Sequence, residues 1–479
     1  MAEGSSRRVR RYLIPPLFFL SVFTAPYIIL LAKYGVSLQV DSYVLWVFAF
    51  TWAQAAASAA LSLAVGLALV PAYVRFPWVK PVALVPFFAP ALSTVDALIR
   101  LHGDFMYGPW GIVVAHAVYY GPYVALVVES NLRSIPADLL EAADLYVRRA
   151  TTRLKIVFAE LRPAVLYSFF TVFIFSFLSF TTPLLLGGRY PTLELLVYIY
   201  ATSFASTDLV ASLVLLGLLS SAVLALPLLR IPAPPPAEPA PRTPAVGPVP
   251  AAFSLGVALY FFAVAFYIFS PLLEPRGVDA VVRPLFNSFA VALTASAAVL
   301  LVVLAFLVSD SVGSRLPALT YVVTVSLSKS LFALGFFHMA QPLYGTLLIL
   351  TVAHSVVIAP LAYSLVKPSW EKIRIDTREA CILYLGPLKC VTRIISEALG
   401  PTLVQTWLVA LASSLSETTL ALMLTTGGAA TLSAEAVRLL TSRAPDLIEM
   451  GHFYSAVLAL LVLVLLAASR LIKPRPYSI

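Results

Sequence analysis

The chain has 479 residues, of which 60% are hydrophobic and only 11% charged, against about 25% charged residues in a soluble globular chain. That composition excludes a string of soluble domains and describes a polytopic membrane protein. The formal charge of +9 would suit a nucleic-acid partner, but the basic residues are placed as a topology signal, which argues against one.

Apolar runs near the ~20 residues needed to cross a bilayer recur twelve times in chain order. In the first half they lie near 12–34, 46–72, 79–100, 109–130, 163–187 and 207–229. In the second they lie near 251–273, 284–309, 316–337, 343–366, 401–425 and 451–472. The first run follows Arg7, Arg8, Arg10 and Arg11, but it is longer than a signal-peptide core and more spans follow, so it reads as a retained helix. With both termini inside, most of the 32 Lys and Arg residues fall on inside segments, as the positive-inside rule requires of a multi-pass protein of the cytoplasmic membrane. The expected fold is therefore all-α and polytopic, with about twelve transmembrane helices.

A spaced pattern occurs twice, 238 residues apart. His116, Pro122, Glu141, Ala142 and Pro163 recur as His354, Pro360, Glu379, Ala380 and Pro401. The chain thus reads as two related halves, 1–230 and 251–479. The segment 231–250, IPAPPPAEPAPRTPAVGPVP, has the composition of an extended linker. Six spans per half make the halves two parallel repeats and not an inverted pair.

Two inside loops are too charged to span and too long to be turns: 131–162 and 368–400. In the first, Pro136 suits the opening turn of a helix, and Asp138 and Glu141 suit its positive end. Leu139, Leu140, Ala143, Tyr146 and Val147 share one face at helical spacing. In the second, Asp376 and Glu379 have capping-box spacing, and Gly386-Pro387 should stop the helix. Each loop is expected to hold a short helix, a break, and a second helix entering the next span. The alternative is a pair of interfacial amphipathic helices on lipid, but the small, flat Glu-Ala-Ala surface suits a protein groove better. The outer loops 187–206 and 426–450 also echo each other, being rich in Gly, Thr and Leu.

The Glu-Ala-Ala loop, followed by a Pro that opens a transmembrane helix, resembles the cytoplasmic coupling loop of ABC-importer permeases. Tyr107–Pro122 resembles a span of the fused, two-half thiamine permeases, and Ser414–Gly428 resembles a segment of the ferric-iron and thiamine types. The resemblance implies that Glu141, Ala142 and Ala143, and Glu379, Ala380, Cys381 and Gly386, dock on an ATPase subunit. It also implies two ATPase copies, an extracytoplasmic solute-binding protein, and thiamine or ferric iron as solute. Val147 stands where the family has Gly in the first copy, and Gly386 comes one residue late in the second.

The chain has no Gly-Lys dipeptide and hence no phosphate-cradling P-loop. ATP is thus expected to be used by a separate subunit, with no cofactor, metal or catalytic residue in this one. Cys381 and Cys390 are too few for a disulfide framework, lack a companion His for a metal site, and read as incidental.

Ionisable residues within spans are costly and functional by default. Glu417, beside Ser416, Thr418 and Thr419, is the first candidate for a solute pathway; the alternative is a hydrogen bond to a neighbouring helix. Its first-half counterpart is Phe180. Asp96 and Arg100 should form a local pair, Lys329 should snorkel or meet an acid, and Glu129 should meet solvent. His116 and His354 read as helix-packing residues. A self-sufficient secondary transporter of the major facilitator type is the competing reading. It expects a basic, Gly-rich motif between spans two and three, which Arg75-Phe-Pro-Trp-Val-Lys80 does not supply, and it leaves the Glu-Ala loops unexplained. A polytopic enzyme would want acidic or His-rich outer loops.

Overall fold

Apolar chain away from water must satisfy its backbone groups within each segment, and helices do so. In the computed structural model every regular element among the described residues is helical. Those residues are 2–36, 40–147, 149–203, 207–230, 247–373 and 375–472, so most of the Pro-rich linker lies outside them. The first half comprises α1 (Ala2–Tyr34), α2 (Ser42–Arg75), α3 (Val79–Ala83), α4 (Val85–Phe88), α5 (Ala91–His102), α6 (Pro109–Leu132), α7 (Ala137–Tyr146), α8 (Ala150–Phe177), α9 (Thr181–Leu186), α10 (Leu193–Thr202) and α11 (Thr207–Arg230). The second comprises α12 (Pro248–Phe269), α13 (Val278–Ser311), α14 (Leu316–Ser326), α15 (Lys329–Met339), α16 (Leu347–Glu371), α17 (Ile375–Leu385), α18 (Pro387–Ile394), α19 (Gly400–Ser416), α20 (Thr419–Leu424), α21 (Leu432–Leu440) and α22 (Pro445–Leu471). Pro248 and Pro250, read with the linker, open α12, where proline costs a first turn nothing.

Among the described residues ten helices are long and apolar enough to cross a membrane, or eleven if α14 and α15, bent by 103°, count as one span. The twelve-span expectation differs at the stretch 79–100, which is three short helices. Ala89, before Pro90, is extended (ψ 153°), because proline disfavours the helical region for the residue ahead of it. The stretches 163–187 and 401–425 are each a long helix followed by a short one, broken after Phe177 and Ser416.

The chain forms two compact units that differ from the two sequence halves. One consists of 1–40, 197–222 and 275–479; the other of 41–196 and 223–274. Each unit takes the first helix of the opposite half. Within one unit α1 packs on α13 and α15, and within the other α12 packs on α2 and α5. The packing of α2, α6 and α8 recurs as that of α13, α16 and α19. In the unit that contains 41–196, α2 and α6 cross at glycines. A Cβ on Gly66 would lie 2.6 Å from Val124, and one on Gly121 2.6 Å from Val65. Without a hydrophobic drive between helices in lipid, such close backbone approach supplies the packing energy.

Candidate functional site: two exposed helices and an ion pair at a helix break

Helix α7 lies against its own unit by one face. Leu139 and Leu140 pack on a cluster that includes Leu132, Ile135 and Leu161, and Ala143 is buried. Glu141 and Ala142 face outward. Tyr146 departs from the expected apolar face. It is the last helical residue and is 85% exposed beside Leu145 at 78%. The chain leaves the helix through Val147 at φ −105°, ψ 102°. That conformation suits a β-branched residue, so no glycine is required there.

Helix α17 repeats this surface. Glu379 and Ala380 are exposed, and Leu383 and Tyr384, 238 residues after Leu145 and Tyr146, are 81% and 84% exposed. Gly386 stops the helix at φ +78°, its N–H donating to Ile382 O at 2.9 Å. Only glycine takes that conformation without strain. The helix starts at Ile375, which puts Asp376 in the first turn.

The surroundings of α17 are its own. Cys381 and Cys390 are joined as a disulfide, which corrects their reading as incidental: two helices packed across a tight glycine turn bring the thiols together, and spacing alone does not reveal it. A cavity of about 250 Å³ lies beside the helix, lined by Asp310, Ser311, Gly313, Trp370, Arg378, Glu379 and Ile382. The Asp310 carboxylate accepts Trp370 Nε1–H at 2.9 Å and Tyr363 O–H at 3.0 Å. The Arg378 guanidinium lies over the Trp370 ring at 5.5 Å, a cation–π contact.

Glu417 sits in the break between α19 and α20. One carboxylate oxygen meets Lys329 Nζ at 2.9 Å. The other accepts the N–H groups of Thr419 at 3.1 Å and Leu420 at 3.4 Å, capping α20. Its backbone carbonyl accepts the Ser433 hydroxyl at 2.9 Å. Of the two destinations expected for Lys329, the structure gives the acid. Ser416 and Thr418 are engaged locally, with Ser416 Oγ donating to Ser413 O and Thr418 Oγ1 to Ser416 O.

The histidines hold helices together. His116 Nδ1 lies 3.0 Å from Ser58 Oγ on α2, and His354 Nδ1 lies 2.8 Å from Ser414 Oγ on α19. Asp96 and Arg100 form the expected pair at 3.4 Å, and Arg100 also donates to Ser270 Oγ at 2.8 Å. Glu129 does not meet solvent. It is 3% exposed and paired with Lys80 at 2.8 Å and with Arg133, because α3 carries Lys80 back over the end of α6. Asp310, Trp370 and Arg378 were not singled out in the sequence: Asp310 and Trp370 lie just past the ends of apolar runs, and Arg378 is one of several charges in the loop 368–400.

No family profile matches the chain. Over 118 residues it is 32% identical to the ferric transport system permease protein of Actinobacillus pleuropneumoniae, a match covering 24% of this chain and 17% of that one. Over 183 residues it is 29% identical to the thiamine transport system permease protein of Haemophilus influenzae, covering 33% and 34% respectively. The chain is similar to ferric and thiamine transport permeases. The matches span about a third or less of the length of these relatives.

Proposed function

We propose that this chain is the membrane-spanning permease subunit of an ABC importer, moving a small solute across the cytoplasmic membrane with N- and C-termini inside. The observation that carries this reading is the pair of exposed helices α7 and α17. Each shows Glu-Ala and Leu-Tyr at the same repeat positions, with the tyrosines 85% and 84% exposed. A surface presented twice in one chain fits a partner present in two copies. That partner is a separate ATPase, whose closure drives the two halves between inward-open and outward-open states. Exposed Leu and Tyr are suited to filling pockets, and Glu141 and Glu379 to pairing with Arg there.

A solute-binding protein delivers solute to the outer loops, and ferric iron and thiamine are the favoured solutes because they are named in the two relatives. Glu417, Thr418, Thr419 and Ser416 remain the proposed pathway group, with the Lys329–Glu417 contact as its fixed element. The test is co-purification with an ATPase co-expressed from a neighbouring gene, and uptake of radiolabelled iron or thiamine by proteoliposomes. Glu141→Arg with Glu379→Arg abolishes both association and uptake. If both survive, the reading fails, and uptake without any ATPase supports a secondary transporter.

A further inference from the structure

The structure assigns a thiol–disulfide switch to the second exposed helix alone: Cys381 on α17 and Cys390 on α18 form a reversible clip that sets how firmly α17 is held. The Cα atoms of the two cysteines are 5.5 Å apart, the separation a disulfide requires. They flank Gly386, whose φ of +78° makes it the natural pivot between the helices. Cys390 is wholly buried and Cys381 only half-buried. Helix α18 is anchored by buried Val391 and Ile394 and continues through a π-helical turn, Ile395–Leu399, into α19. The disulfide therefore bypasses the pivot and fastens α17 to the element that enters the membrane.

The first half has nothing of the kind. Counting back 238 residues from the two cysteines gives Ala143 and Thr152. There α7 is held by Leu139 and Leu140 against their hydrophobic cluster, whereas α17 borders the cavity of about 250 Å³ with Arg378, Glu379 and Ile382 and meets Trp370 through the Arg378 guanidinium over its ring. A helix that borders a cavity has less packing on that side, and the disulfide adds a covalent fastening.

The chemistry balances with a disulfide reagent or protein as oxidant. The more accessible Cys381 thiolate attacks the oxidant's S–S bond and forms a mixed disulfide, releasing one thiolate. The Cys390 thiolate then attacks the Cys381 sulfur and releases the second. Two protons and two electrons leave the cysteine pair, and the oxidant ends as two thiols; a dithiol reverses the reaction. Reduction frees α17 to turn about Gly386, and with it Glu379. The consequence for coupling rests on reading α17 as an ATPase-docking helix; the switch itself does not.

The test uses the full chain in nanodiscs, poised with oxidised glutathione or dithiothreitol, quenched in acid, labelled with N-ethylmaleimide and weighed intact. The oxidised sample takes up no label and the reduced sample takes up two. Amide exchange over 375–385 should then run on the order of tenfold faster after reduction, while 137–146, which has no cysteine, is unchanged. Cys381→Ala with Cys390→Thr, which copies the first-half residues, exchanges like the reduced form without dithiothreitol. Two labels after oxidised glutathione, or equal exchange in both states, overturns the proposal. ATPase co-purification in both states separates the two readings: loss of the partner in both with the exchange difference intact counts against the docking reading alone.

Discussion

Lys329 Nζ and Glu417 Oε2 are 2.9 Å apart, linking the first residue of α15 to the break between α19 and α20. Both ends of this contact are chain interruptions. Leu327 is extended and Ser328 caps α15, while Glu417 itself is extended and caps α20 with its other oxygen. The ion pair therefore fixes the relative position of two broken helices. Only the Glu417 end is buried, so removing Lys329 strands that carboxylate.

Lys329→Met is expected to lower stability by ~2–3 kcal/mol, less than for a fully buried pair because the lysine is partly exposed. Glu417→Gln, which can still accept the cap bonds, should cost less than Glu417→Ala. Denaturant unfolding of the purified variants measures this. If Glu417→Gln abolishes solute uptake at unchanged stability, the residue acts in the pathway and the contact is secondary.

The two histidines choose different serines, and that choice is testable. Ser58 and Ser296 are 238 residues apart, as are Ser176 and Ser414. His116 takes the first of its two serines and His354 the second, while Ser296 Oγ bonds back to Leu293 O within its own helix. Ser58→Ala and Ser414→Ala should each cost about 1 kcal/mol, the scale of an interhelical hydrogen bond in a membrane. Ser296→Ala should cost only a few tenths, since a bond within one helix is easily exchanged. Equal losses for Ser414→Ala and Ser296→Ala would show that the partner exchange has no energetic meaning.

Tyr146→Ala with Tyr384→Ala should leave the unfolding curve unmoved, because both side chains are exposed. If they are anchors for the ATPase, affinity for it falls about tenfold or more. Titration of a labelled candidate ATPase onto the reconstituted chain reads the effect. A wild-type affinity from the double variant would remove the Leu-Tyr pair from the docking surface.

Gly66→Leu should be severely destabilising. Even a Cβ at Gly66 lies 2.6 Å from Val124, and overpacking of this kind costs ~1–3 kcal/mol or more. Gly256, with nothing near its added Cβ, is the control, and Gly256→Leu should be tolerated. Comparing yield and melting temperature of the two variants checks both.

Asp310→Ala leaves the Trp370 N–H and the Tyr363 O–H without their acceptor. The expected loss is about 2–3 kcal/mol, dominated by stranded buried donors and not by the lost bonds themselves. Asp310→Asn, which keeps an acceptor oxygen, should recover much of it. Unfolding of the two variants side by side provides the measurement.

The helical, multi-pass and internally repeated character of the chain is legible in its sequence, since apolar run length, charge placement and a 238-residue echo need no neighbours. The sequence also located α7 and α17 and the stop at Gly386, because acidic first turns and a left-handed glycine are local signals. The break at Ala89 follows from Pro90, but tertiary structure decided the breaks at Leu327 and Glu417, for such a break depends on what receives the freed backbone groups. It decided that α1 packs with the helices of the second half and α12 with those of the first. It joined Cys381 to Cys390 and Lys329 to Glu417, and it buried Glu129. In each case the partner lies on another element, and hydrophobic periodicity carries no information about which side chains two packed helices bring within bonding distance.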